Sequence, residues 1–209
     1  PQEPDAPDSV HLHSGSHPII SGSSMAGALR HQAKKIIRHI LGNHVRADAR
    51  IDGLFGPRLQ GRFADSFDPK SSRLRISENI IDGNHIPVRE TRIKIDRFTQ
   101  GVFDGTPFEE QPEHGGVFGL RLEIRKPQPG DLGLLFLLLK DLLDEQIPIG
   151  GTSSIGRGVV GGDTATVTFQ NCDGIPDQTV QLDLHNAKPE VIRMADKEID
   201  ILRGLSTHG

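Results

Sequence analysis

Three short stretches hold residue types that could do chemistry. GGTSSIGRGVV, from Gly150 to Val160, carries glycines whose bare backbone amides can come close to a phosphate, with Thr152, Ser153, Ser154 and Arg157 as further donors. Gly151 and Gly156 would give the closest approach. HLHSGSH sets His11, His13 and His17 within seven residues. Such histidines can bind zinc, or act as general acid and base in metal-independent RNA cleavage. With no Cys and no acidic residue among them, a mobile loop is the expected state. SGSS at 21–24 puts the hydroxyls of Ser23 and Ser24 at a helix start, where the dipole favours an anion, with Arg30 about two turns further on. Plain helix capping is the other use of those serines.

The glycine stretch does not suit a nucleotide. In nucleotide-binding loops the glycines follow a strand and open a helix, whereas here they follow an apolar helical run and lead into a strand. Neither GxxxxGK[ST] nor GxGxxG occurs in that span. Two uses remain: a turn exploiting positive φ, and a loop laid along a nucleic-acid backbone.

The elements that must position these groups follow from pattern. Met25, Leu29, Ala33, Ile36, Ile37 and Ile40 recur at helical spacing before Gly42, and Arg30, Lys34 and Arg38 fall four apart on another face. Residues 43–72 lack sustained periodicity and read as an irregular insertion. RLRISE at 73–78, ETRIKID at 90–96 and FGLRLEIR at 118–125 alternate and predict strands. Asp131 is placed to cap a very apolar helix running to near Glu145. The glycine stretch then leads to a strand over about 158–170, a turn, the strand TVQLDL, and a last helix from Pro189 to Gly204.

The net charge of −4 conceals an uneven distribution: residues 25–100 hold fifteen Lys and Arg against eight Asp and Glu. A basic first half suits a phosphate-bearing partner, although solvated helix and loop faces would give the same count. The stretch 92–110 is basic at one end, through Arg92, Lys94 and Arg97, and acidic at the other, with Phe98, Val102 and Phe103 between. Such a hairpin could wedge apolar side chains between bases while its cations hold phosphates. Without Trp or Tyr, stacking can only be modest. The lone Cys172 suits a reducing cytoplasm, and LLFLLL at 134–139 is far too short to span a membrane.

PIISGSSMAGALR at 18–30, LFG at 54–56, IDRFTQGVFDGTPFEEQ at 95–111 and IGGTSSIGRGVV at 149–160 occur in the order seen in the RAMP superfamily. The chain resembles the backbone subunits of type III CRISPR effector complexes over roughly residues 8–170. The resemblance implies an α+β fold with a ferredoxin-like, RNA-recognition-type βαββαβ core, subunits stacked along a guide RNA, and a thumb-like hairpin reaching through the guide–target duplex. Residues 1–170 would form this RNA-binding domain, with insertions at about 43–72 and 86–115, and 171–209 a strand–helix extension. Family members begin with a strand that does not precede Pro1 here, so the first core strand is expected from elsewhere. Position 21 is Ser where the family usually has Pro.

The resemblance also implies a site. Catalytic members cut target RNA with one Asp in the loop ahead of the PxxPGSS-like segment, and Asp8 stands at that place, with Asp5 its nearby rival. A carboxylate there could hold Mg2+ or another divalent cation, or accept a proton during in-line attack by a ribose 2′-hydroxyl. The implied partners are guide RNA, target RNA and other RAMP subunits. Two alternatives stand beside target cleavage: a non-catalytic RNA-binding scaffold, and a metal-independent ribonuclease that processes guide RNA through His13 and His17.

Overall fold

A computed structural model describes residues 6–42, 44–57, 70–103, 107–172, 175–183 and 188–205. In chain order, β1 (Ser9–Val10), β2 (His13–Ser14) and β3 (His17–Ile20) precede the helices α1 (Gly22–Leu41) and α2 (His44–Phe55). Six short strands follow: β4 (Leu74–Ile76), β5 (Asn79–Ile80), β6 (Asp82–Pro87), β7 (Glu90–Arg92), β8 (Phe108–Gln111) and β9 (Glu113–Val117). Then come β10 (Leu122–Ile124), α3 (Asp131–Leu143), β11 (Thr164–Phe169), β12 (Gln178–Asp183) and α4 (Pro189–Gly204). This is an α+β architecture of the ferredoxin-like kind that the sequence implied. No described helix is long and apolar enough to cross a membrane.

The chain divides into two compact units. The first comprises the N-terminal stretch to Gly22 together with Ser77–Arg121. Its strands form three small sheets: β2–β3–β5, antiparallel throughout; β6 against β9; and β1–β8–β7, in which β1 runs parallel to β8. Among its described residues Pro18, Ile19 and Ile81 are the buried apolar ones. Gly116 at the β6–β9 pairing takes φ +89°, and a Cβ there would sit 2.5 Å from Ile81 Cγ2, so a larger residue would force its neighbours to shift.

The second unit runs from Ser23 to Ile76 and from Leu122 onward. Met25, Leu29, Ala33 and Ile37, each four residues apart, form the buried stripe of α1, and each large member contributes about 1.5–3 kcal/mol by leaving water. The helix begins earlier than the capping pattern suggested, so Ser23 and Ser24 lie inside its first turn and Ser21 just before it. Residues 44–55 are helical, a correction to the irregular insertion expected at 43–72. Ala47, Ile51 and Leu54 are buried at helical spacing, but one of the three is only an alanine and charged residues surround them, which hid the period. Residues 58–69 lie outside the described residues.

The apolar α3 is explained by what covers it. Leu134, Phe136, Leu138 and Leu142 are buried, and α4 packs against the helix with Val191 and Leu202 also buried. At the crossing Gly133 lets the two backbones meet: a Cβ there would stand 2.2 Å from the Glu198 carbonyl oxygen. The strand expected at 118–125 shortens to Leu122–Ile124, paired with β4. Phe169 is buried at the end of β11, whose partner is β12. The C-terminal strand and helix are thus integral to the second unit.

Asp131 is the first residue of α3, not its cap, and Gly130 stands at the cap with φ +83°. The Asp131 side chain is fully buried and accepts from Arg50 at 3.1 Å, from Arg73, and from the Gln128 amide at 2.8 Å. One carboxylate thereby joins α2, β4 and the start of α3. Burial pushes the Arg50 guanidinium below its usual value, Asp131 opposes that shift, and neighbouring Arg73 adds to it. Asp131→Ala leaves two cations without their partner and is expected to cost about 3–5 kcal/mol, the scale for breaking a buried pair. Urea unfolding of the variant and the parent chain checks this; a loss below about 1 kcal/mol would show that water substitutes for the carboxylate.

Candidate nucleic-acid interface

In the first unit, pairing of β1 with β8 brings together residues about a hundred apart in sequence. Asp8 precedes β1, and its Oδ2 accepts the Glu109 backbone amide at 2.8 Å. Ser9 lies opposite Glu110, which lies opposite Glu90 on β7. The exposed Asp8 therefore stands beside the base of the hairpin that carries the predicted wedge. Asp5 lies outside the described residues.

The hairpin base is fixed by charge. Arg92 donates to Glu90 at 2.9 Å and pairs with Glu110 at 3.2 Å, while Arg89 donates from Nε to Glu109 at 2.8 Å. Arg92 is thus committed to neighbouring carboxylates, whereas Lys94 and Arg97 further out are exposed. Beyond the base, Ile95 bridges Val102, and the loop between them exposes Phe98 almost completely, at 96%. Phe103 is partly exposed, with the Lys94 ammonium 4.9 Å from its ring centre. Residues 104–106 lie outside the described residues. Arg89, Glu109 and Glu110 were not singled out by sequence; the acidic FEE was the only signal of the base.

The histidines of the N-terminal stretch are engaged locally, and the mobile loop expected there is instead the paired strands β2 and β3, which carry His13 and His17. His13 contacts the His11 carbonyl through Nδ1 at 2.7 Å and faces Glu113 through Nε2 at 3.6 Å, and His85 approaches the same carboxylate at 3.0 Å. His17 Nδ1 lies 3.4 Å from Ser16 Oγ. No group of three or more His, Cys, Asp or Glu is arranged to hold a metal ion among the described residues.

In the second unit, the cationic face of α1 meets α2. Arg30 pairs with Asp52 and donates to the Gly56 carbonyl at 2.7 Å; Lys34 and Arg38 pair with Asp48 at 3.0 and 3.3 Å. The LFG at 54–56 therefore serves as a docking point for Arg30. The hydrogen bond from Lys34, with help from Arg38 and against some desolvation, holds the Asp48 carboxyl below its usual value. Much of the positive charge counted along residues 25–52 is offset within the unit, so replacing Arg30 or Lys34 would probe helix packing as well as binding.

The glycine loop is the exposed feature of the second unit. Ile147 and Ile149 are buried at its entrance, and the Ile149 amide donates to the Gly158 carbonyl at 2.9 Å, closing the loop at its neck. Between them Gly150 and Gly156 take positive φ, Thr152 does so at +59°, and Ser153–Ile155 form a single helical turn. Gly151, Thr152, Ser153 and Gly156 are all exposed, and Arg157 is half-buried. The loop thus displays backbone and small donors above a neck closed by a backbone hydrogen bond, a chemistry suited to a sugar-phosphate strand.

The family model for the RAMP superfamily matches residues 8–160. The chain belongs to the RAMP superfamily. All four sequence motifs and the Asp8 sheet fall inside that match. Among solved structures, one chain of a structure titled "Type IV-B CRISPR Complex" is similar at 16% identity and a TM-score of 0.51, covering 77% of this chain and 78% of the other. At that identity the likeness is one of fold. A comparison with curated proteins finds no match.

The loop neck separates two kinds of glycine. A Cβ at Gly158 would lie 1.9 Å from the Ile149 carbonyl oxygen, whereas at Gly151 it meets nothing within 4 Å. Gly158→Ala is expected to cost on the order of 1–3 kcal/mol through strain, and Gly151→Ala to leave stability within about 0.5 kcal/mol. Thermal unfolding of the two variants decides it. Equal stability would mean that the neck adjusts without strain.

Proposed function

We propose that this RAMP chain is a guide-RNA-binding backbone subunit of a type III CRISPR interference complex, and that it cleaves guide-paired target RNA with the aid of Asp8. The observation that carries the reading is the β1–β8 pairing, which stands Asp8 beside a hairpin with an exposed apolar tip. A cutting group has to be carried by the element that engages the duplex, and Asp8 is tied to the base of that hairpin. The match across residues 8–160 and the fold shared with a chain of a Type IV-B CRISPR complex support the wider assignment to CRISPR RAMP subunits.

The residues present fit a divalent ion in one respect. The amide of Glu109 engages Asp8 Oδ2, so the carboxylate is oriented while its second oxygen remains available for a metal such as Mg2+. No group of three or more His, Cys, Asp or Glu is arranged to hold an ion among the described residues, so phosphate oxygens and water would supply much of the shell. Such an ion, when bound, would offset the charge that develops on the scissile phosphate. The chain's own part is to bind guide RNA along the glycine loop, to hold the target against the hairpin, and to keep Asp8 oriented. The histidine route is less favoured because one ring nitrogen of His13 is held by a carbonyl and the other faces a carboxylate.

Asp8→Asn keeps an acceptor for the Glu109 amide and removes the charge, which makes it a cleaner probe than alanine. In assembled complexes it is expected to retain target binding and to lower cutting at least about a hundred-fold, the usual scale for a positioned catalytic group. EDTA should abolish cutting by the parent complex. Unchanged cutting by Asp8→Asn would remove this residue from the mechanism. Cutting that persists in EDTA and vanishes with His13→Ala would establish the metal-free route. Retained target with no cutting by the parent complex would make the subunit a scaffold.

A further inference from the structure

The hairpin tip is organised by a single side chain. Asp96 Oδ1 accepts the backbone amides of Phe98 at 2.7 Å and Thr99 at 2.9 Å. Its own amide donates to the Gly101 carbonyl at 2.9 Å, and its carbonyl accepts the Gln100 amide at 3.0 Å. Thr99 Oγ1 takes the Gly101 amide at 3.3 Å, and Gln100 adopts φ +57°. The loop from Asp96 to Gly101 is therefore closed by its own hydrogen bonds and turns about one carboxylate. These bonds fix the backbone on both sides of Phe98 and so set the direction in which its Cα–Cβ bond leaves the turn. The ring stays outside, 96% exposed.

Phe103 differs from Phe98 in every relevant respect. It sits beyond the bridge between Ile95 and Val102, its amide donates to the Lys94 carbonyl at 2.8 Å, and the Lys94 ammonium covers one face of the ring. A ring with a cation on one face can offer only the other face to a base. Phe98 stands at the turn with Arg97 next to it in sequence, and both side chains are exposed. That pairing fits a step between two bases, with the ring between them and the guanidinium at the adjacent phosphate.

We infer that Asp96 is a positioning residue that fixes the tip so that Phe98, and not Phe103, enters the base stack of a guide–target duplex; this rests on the RNA-binding reading above. The carboxylate acts through the two amides and touches no RNA. The charged form of Asp96 is favoured by its bonds to Thr99 and Phe98, which oppose desolvation and hold the carboxyl below the usual aspartate range. A carboxyl so lowered supports the turn at neutral pH and releases it only as pH falls through its lowered value.

The test uses the full chain with a guide–target RNA duplex labelled with fluorescein at one end and with 2-aminopurine at successive target positions. Fluorescein anisotropy reads binding, and 2-aminopurine emission reads unstacking. The parent chain should bind and raise emission at one step of the duplex. Phe98→Ala and Asp96→Ala should both lose that rise while anisotropy still reports binding, and Phe103→Ala should keep it. Asp96→Asn, which retains an oxygen acceptor for both amides, should restore the rise. Hydrogen exchange of the free chain should show the Phe98 and Thr99 amides about ten-fold faster in Asp96→Ala and near the parent rate in Asp96→Asn. A full rise in Asp96→Ala, or loss in Phe103→Ala equal to that in Phe98→Ala, would overturn the inference. Binding by the parent without any rise in emission would overturn the wedge while leaving RNA binding intact; no binding by the parent would overturn both.

Discussion

A single buried carboxylate organises the larger unit. Asp131 joins a helix, a strand and the start of a second helix by holding two arginines and one backbone amide, with no part of its side chain exposed. An isolated ion so buried would be costly, and it is tolerable because both carboxylate oxygens meet donors, two of them cationic. With that junction fixed, α3 can bury its leucines beneath α4, and the chain leaves α3 for Ile147 and Ile149 at the neck of the glycine loop. The exposed loop therefore stands on a neck anchored in the core. The same logic runs at the surface between α1 and α2, where Asp48 and Asp52 pair with three cations and offset two of their charges.

The smaller unit works by other means. It has few buried apolar residues, and its order comes from short ladders, glycines at close approaches, and paired charges at the hairpin base. Such local devices hold short strands without a large core, and they leave apolar rings on the outside where an RNA partner could take them up. Both regions thus present exposed groups on braced supports, one a glycine loop and the other a hairpin tip.

Much of this was legible in sequence where the signal is local. The stripe of α1, the apolar α3, the Pro-to-Gly limits of α4 and the turn-rich hairpin all rest on spacing within a few residues. What was not legible depends on partners far along the chain. The helical period of α2 is hidden in sequence because its buried stripe of Ala47, Ile51 and Leu54 is weak and surrounded by charge. The basic count along α1 looked like a phosphate surface because nothing in the sequence announces that Asp48 and Asp52 will fold onto it. The strand at 118–125 shrank because alternation predicts a pleat but not where a partner ladder ends. The bond from Glu109 to Asp8 spans about a hundred residues and has no sequence signature beyond an acidic pair. The motifs that carry the family resemblance all fall within the matched residues 8–160, while the contacts that join distant segments are these long-range pairings.

The central claim is that this RAMP chain meets RNA through its glycine loop and its hairpin tip. Ultraviolet cross-linking of the assembled complex, followed by mass spectrometry of the RNA-bound peptides, tests it most directly. The account predicts cross-links within Lys94–Phe103 and within Gly150–Arg157, with few on the face where α1 meets α2. Cross-links confined to that helical face, or none above a control without guide, would contradict it.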